Sequence, residues 1–148
     1  MRHQNHSQRL SRKPDQARSL LKNLVTSILL YETVRTTKKR AQVVRPLVDR
    51  VIAIGKRERH DLAIRKINLM VTDDNACKKV LEVLKQRYAN RPSGFTRMLP
   101  VGQRQGDGAL MVDISLIDAA APIVASDDAV SEATPKKKSP TKKPALVS

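Results

Sequence analysis

The thirteen residues that open the chain, MRHQNHSQRLSRK, have no face to bury. Arg2, Arg9, Arg12 and Lys13 are positive, His3 and His6 can become so, and Leu10 is the one large aliphatic side chain after Met1. A segment this poor in apolar area cannot offset the entropy of ordering itself, so residues 1–13 are expected to order only against a polyanion. Any core must come from the residues that follow, and these turn at once to an amphipathic pattern.

The length, 148 residues, allows one domain with a sizeable core and not two large ones. The net charge of +15 is unevenly placed. Residues 1–60 carry 15 Lys and Arg against 4 Asp and Glu, residues 61–118 carry 9 against 7, and residues 119–148 carry 5 against 3. The electrostatic footprint therefore lies in the first sixty residues. There Arg outnumbers Lys by 10 to 5, whereas the last thirty residues hold 5 Lys and no Arg. Arg presents a planar, bidentate fork to fixed phosphates and Lys a hydrated point charge. The front is expected to dock and the back to stay solvated.

The aromatic residues narrow the partner. With no Trp, and only Tyr31, Tyr88 and Phe95 to stack on bases, the chain lacks the platforms that single-strand readers use. A nucleic acid would be met through phosphates, sugars and overall shape. The lone Cys77 excludes an intramolecular disulfide and a multi-cysteine zinc site. No apolar run approaches the roughly 20 residues of a membrane span, and no apolar run of signal-peptide type follows the basic start.

Pro14 and Asp15 read as a helix start, with Pro tolerated in the first turn and a carboxylate favoured at the positive end. Ala17, Leu20, Leu21, Leu24, Val25 and Ile28 then recur at spacings of three and four, giving one apolar stripe, with Arg18 and Lys22 expected on a basic flank. Tyr31–Thr37 breaks the period, is rich in β-branched residues, and is expected as a short strand that carries Arg35. Thr36 and Thr37 offer caps to a second helix from Lys38 to Ile54, closed by Gly55 and kinked by Pro46 near Arg45. Ala41, Val44, Leu47, Val48, Val51 and Ile52 form its stripe. Lys38, Lys39 and Arg40 crowd the first turn, where the helix dipole disfavours cations, so an external anion is the better explanation for them.

After a charged connector, Lys56 to His60, two shorter helices are expected. One spans Asp61 to Met70 with Leu62, Ala63, Ile67 and Met70 inward. The other spans Asp73 to Tyr88, capped by Asp73 or Asp74, with Ala76, Cys77, Val80, Leu81, Leu84 and Tyr88 inward. Cys77 lies on the apolar stripe and reads as a core residue. Phe95–Val101 and Ala109–Ile117 bracket the loop GQRQGDG, which predicts a β-hairpin with a long turn, and Leu110, Val112, Ile114 and Leu116 alternate as in a half-buried strand. Arg104 and Asp107 would organise that turn or offer a guanidinium to RNA. The fold expected is α+β: a two-layer domain in the order α-β-α-α-α-β-β over residues 14–118, with a small three-stranded antiparallel sheet packed on helices. The basic arm precedes it. Residues 119–148, rich in Ala, Ser, Pro and Lys, read as a disordered low-complexity tail.

No constellation points to catalysis. His3 and His6 are three apart, but no carboxylate occurs before Asp15 and the surroundings are cationic, which disfavours a divalent ion. The glycines of the hairpin loop match neither phosphate-binding pattern and do not open a helix. No metal, cofactor or small-molecule substrate is expected.

Three blocks in register, MRH at the start, LLKNLVTSILLYETVRTT, and RPSGFTRMLPVGQRQGDGALMVDISLI, resemble the family of bacterial large-subunit ribosomal protein seventeen over about residues 1–118. The resemblance implies a non-catalytic component of the large ribosomal subunit, in the cytoplasm, that binds large-subunit ribosomal RNA beside other large-subunit proteins, protein thirty-two among them. It implies contacts from Arg2, His3, Arg9, Arg12, Lys22, Asn23, Thr36, Thr37, Arg91, Thr96, Arg97 and Arg104, which match family positions. Gln16 and Ala17 stand where the family often has His and Arg. To these the charge pattern adds Lys13, Arg18, Arg35, Lys38, Lys39 and Arg40 as RNA-binding candidates. The alternative is a free-standing RNA or DNA chaperone of general specificity, which the same charge would serve.

Overall fold

The computed structural model of the protein describes residues 10 and 12–118. The expectations for Arg2, His3, Arg9 and the tail from residue 119 lie outside the described residues. The element order is α1 (Pro14–Tyr31), β1 (Thr33–Thr37), α2 (Lys38–Arg57), α3 (His60–Asn68), α4 (Asp74–Lys79), a π-helical turn (Val80–Leu84), α5 (Lys85–Arg87), β2 (Thr96–Gln103) and β3 (Leu110–Leu116). This is the α+β arrangement read from the sequence, with the fourth helical rod divided by a π turn.

Pro14 sits in the first turn of α1, where its missing N–H is no loss, and Asp15 follows at the positive end. The helix runs through Tyr31, which the sequence placed in the strand. It stops at Glu32, whose left-handed backbone (φ 62°) lets its N–H donate to the Ile28 carbonyl. α2 starts directly after β1. Thr37 occupies the cap position but makes no side-chain capping bond, and Thr36 is buried, so neither caps the helix as expected. α2 also passes Gly55 and continues to Arg57. A Cβ on Gly55 would stand 2.8 Å from Val80 Cγ1, so this glycine permits the π turn to pack against α2 and does not end the helix. Asp73 caps α4 as expected, accepting from the Asn75 N–H at 2.8 Å.

The sheet has the order β1-β3-β2 with both pairs antiparallel. Thr33 faces Ser115 and Thr37 faces Met111 on one side of β3; Thr96 faces Leu116 and Pro100 faces Val112 on the other. A register slip between Pro100 and Gly102 leaves Val101 as the extra residue of a bulge on the β2 edge. Thr36, Thr96, Val112, Ile114 and Leu116 are buried on the helix-facing side, and α2 packs against all three strands. Tyr88 and Phe95 close the core with ring centroids 5.0 Å apart. The Tyr88 hydroxyl donates to the Ile117 carbonyl, and Asp49 of α2 accepts from the Phe95 N–H at 3.0 Å. Cys77 is a core residue as read. Leu62 and Leu110, expected inward, are 44% and 51% exposed. Leu110 lies at the hairpin end of β3, opposite Gln103 and two residues before the first buried position, Val112.

Candidate nucleic-acid interface

Two regions carry the exposed cations of the sequence analysis, and they differ in chemistry. The first is the helical side. Val25 is the first buried residue of α1. Before it Leu21 and Leu24 are half-buried against the core, and Arg12 and Lys13 are exposed ahead of the helix. Arg18, Lys22, Val25 and Leu29 follow one another at spacings of four, three and four. Arg18 and Lys22 thus share one side of the helix, beside the half-buried stripe of Ala17, Leu20, Leu21 and Leu24. Arg18 lies 3.6 Å from Asp15 in a solvent-exposed pair of little energetic weight. Lys22 is exposed, and Asn23 accepts from the Thr72 hydroxyl at 3.3 Å.

α2 concentrates this chemistry. It contains seven cations, Lys38, Lys39, Arg40, Arg45, Arg50, Lys56 and Arg57, against one carboxylate, Asp49, which is engaged with the Phe95 N–H. Lys56 turns inward, donating to the Arg91 carbonyl and lying 5.5 Å from the centre of the Phe95 ring. Among the described residues none of the α2 cations lies within 4.0 Å of a carboxylate; the ion pairs use Arg18, Arg35, Lys66, Lys79, Arg87 and Arg104. Arg45, Arg50 and Arg57 are exposed and were not among the sequence candidates. Their signal is the helical period, which sets Arg50 and Arg57 seven residues apart on the side that bears Lys39.

The second region is the outer face of the sheet and the hairpin. Arg35 donates to both oxygens of Asp113 directly across the strand pair, at 2.8 and 3.1 Å, and these bonds raise the guanidinium pKa. Arg104 donates to Asp107 at 3.0 Å, and Asp107 also accepts from the Ala109 N–H. Arg104 first, and that backbone bond second, hold the Asp107 carboxyl down at about 2. Of the two roles left open for Arg104, the turn role is thus seen directly. Arg97 is exposed and has no carboxylate within 4.0 Å among the described residues. Arg91 is half-buried beside the Gly94 carbonyl. Thr36 and Thr96 are buried, and Thr96 Oγ1 has no hydrogen-bond partner among the described residues.

Nothing among the described residues assembles a reactive centre. No three His, Cys, Asp or Glu side chains converge as metal ligands, and no helix is long and apolar enough to cross a membrane. A surface cavity of about 350 Å³ is lined by His60, Asp74, Cys77 and Glu82 among others, but burial and then Asp74 push the thiol pKa up, the wrong direction for a nucleophile.

Fold and charge together define a class: small, basic, two-layer α+β proteins with a cationic helical surface. The family model described as "Ribosomal protein L17" matches residues 20–117, and the chain belongs to that family. It is 42% identical over 118 residues to the large ribosomal subunit protein bL17 of Dehalococcoides mccartyi, covering 79% of this chain and 99% of the relative. The bL17 protein of Syntrophotalea carbinolica is 39% identical over 119 residues, 80% of this chain and 76% of the relative. That of Staphylococcus haemolyticus is 37% identical over 121 residues, 74% and 97%.

Proposed function

We propose that this protein is a structural, non-catalytic constituent of the large ribosomal subunit that binds and stabilises packed large-subunit ribosomal RNA helices through Arg and Lys contacts to phosphate. The observation that carries this reading is α2, a helix with seven cations and one carboxylate that spends that carboxylate on the Phe95 N–H. Such a helix repels itself, and an external polyanion removes the repulsion. The family and the names of the relatives supply the particle. The site of action is the cytoplasmic ribosome.

The contacts assigned to RNA are the arm (Arg2, His3, Arg9, Arg12, Lys13), the early turns of α1 (Arg18, Lys22, Asn23) and the β1–α2 junction (Thr37, Lys38, Lys39, Arg40). Arg91 and Arg97 join them at the second helix-to-strand connection. Arg35 and Arg104 contribute less, because Asp113 and Asp107 already neutralise them. Neighbouring large-subunit proteins, protein thirty-two among them, complete the partners.

Sedimentation of a cell extract through a gradient, with a high-salt wash of the large-subunit peak, tests the reading. Stoichiometric retention in that peak is expected. Recovery at the top of the gradient would instead favour the free-standing chaperone. Binding to ribosomal RNA fragments is expected to fall roughly a thousandfold between 50 and 200 mM salt if about six phosphates are neutralised.

A further inference from the structure

The seven cations of α2 do not all face one way. Ala41, Val44, Val48, Val51, Ile52 and Gly55 are buried and turn one side of the helix to the sheet and the other helices. On the opposite side Lys39, Pro46, Arg50, Ala53 and Arg57 recur at spacings of seven, four, three and four. Lys39 and Arg57 are 18 residues apart, about five full turns, and so fall on the same side of the helix, about 27 Å apart along it. Lys39, Arg50 and Arg57 are exposed, and none has a carboxylate within 4.0 Å among the described residues.

Three like charges in one line gain little from the fold. Only Arg57 lies in the last turn, where the helix dipole favours it; Lys39 lies in the first, where it is disfavoured. On the hairpin side the protein does the opposite, giving Arg35 and Arg104 a carboxylate each. On the sheet and hairpin two of the three exposed Arg are neutralised from within, Arg97 being the exception, whereas on this line of α2 all three cations are left open.

The geometry also selects the form of the polyanion. α2 contains no aromatic side chain; Tyr88 and Phe95 are buried, and Tyr31, 74% exposed, stands at the far end of α1. A single strand would find nothing on this face to stack upon. A row of cations along one helix is matched by the regular backbone of a duplex, which is recognised by shape and phosphate. We propose that the outward line Lys39, Arg50 and Arg57 of α2 docks along the phosphate backbone of double-stranded RNA. This rests on the reading above, which already has RNA helices as the partner, and adds which face of the protein takes them.

Fluorescence anisotropy of the full chain against an RNA duplex of about 20 base pairs and against one of its strands, over a series of salt concentrations, tests the proposal. In the variant Lys39→Gln/Arg50→Gln/Arg57→Gln the slope of log affinity against log salt is expected to fall by about 2 to 3 for the duplex and by less for the single strand. Arg35→Gln/Arg104→Gln is expected to change it by less than about one. A charge-conserving variant, Lys39→Arg/Arg50→Lys/Arg57→Lys, should keep the original slope and separates charge from any effect on folding. An unchanged slope in the neutralised variant, or an equal loss on both probes, would overturn the proposal while leaving RNA binding in place. No binding of either probe by the unaltered protein would overturn the functional reading itself.

Discussion

Arg87 donates two hydrogen bonds, of 2.8 and 3.2 Å, to the carboxylate of Glu32. Lys79 reaches the same carboxylate at 2.7 Å, and the Glu32 carbonyl accepts from the Leu116 N–H at 2.8 Å. One residue thus ends α1 with its left-handed backbone, ties down the helical rod that carries Lys79 and Arg87, and holds the end of β3. Burial alone would push the Glu32 carboxyl up, but Arg87 and Lys79 outweigh it and the group titrates below its ordinary 4.5.

Replacing Glu32 by Gln keeps the shape and removes the charge. Two cations that are mostly buried then lose their partner, and a loss of about 2 kcal/mol is expected in urea denaturation. Because the folded-state pKa is the lower one, the pair's stabilisation is complete above about pH 4.5 and fades as pH falls through the folded value. The variant should therefore lose stability at neutral pH and show a flatter acid limb. A variant whose acid limb overlays the original would remove Glu32 from this role.

Gly55→Ala places a methyl group 2.8 Å from Val80 Cγ1, on a short branched side chain that cannot swing away. Overpacking costs about 1–3 kcal/mol, while the gain in helix propensity returns up to about 1 kcal/mol, so net destabilisation of about 1 kcal/mol is expected. Adding Val80→Ala should cost less in the Gly55→Ala background than in the original protein. Strict additivity of the two changes in a double-mutant cycle would show that the close approach is not where the cost arises.

The same glycine shows where the sequence misleads. After an apolar stripe, Gly reads as a helix end, and only the neighbouring rod reveals that Gly55 is small for packing. The rod itself carried a clue. Ala76, Val80, Leu84 and Tyr88 are buried at uniform spacings of four, which drift around an α-helix by about 40° per step. A π turn at Val80–Leu84, wider than an α turn, reduces the drift. Element order and the hairpin were legible because periods of 3.6 and 2 and the glycine-rich loop were each unambiguous. The α2 line was missed because its cations are far apart in sequence, whereas Lys38, Lys39 and Arg40 stand together. Arg35 and Arg104 looked as available as the others because their carboxylates, Asp113 and Asp107, become partners only through strand register and turn geometry.

At the hairpin turn, Asp107 is expected to titrate near 2 when followed by NMR of its side-chain carboxyl. Replacing Arg104 by Gln removes the largest cause of that shift, and the midpoint should move up toward the ordinary 3.8. The Ala109 N–H continues to hold it somewhat below. An unmoved midpoint would mean that the backbone bond, and not the guanidinium, sets it.

Cys77 is expected to react slowly with a thiol reagent in the folded protein and quickly once denatured. It is buried on the α4 stripe, and burial followed by the charge of Asp74 pushes its thiol pKa above the ordinary 9.0. Rapid labelling under native conditions would show that α4 opens locally on the timescale of the reaction.

Removing residues 1–13 separates the two halves of the functional reading. Among the described residues every buried core residue lies between Val25 and Leu116, so the α+β core is expected to survive the deletion. It removes the Lys13 carbonyl that accepts from the Ala17 N–H, and fraying of the first turn of α1 is the expected structural cost. Circular dichroism should therefore report the same α+β content and a cooperative melt. The deletion also removes Arg2, Arg9, Arg12 and Lys13, and the salt slope for RNA is expected to fall by about 3 to 4 on the duplex-DNA scale. Since the α2 line is untouched, duplex RNA should still be preferred over single strands by the truncated protein. Loss of cooperative folding would mean that the arm is part of the architecture, and an unchanged slope would mean that the folded domain alone meets the RNA.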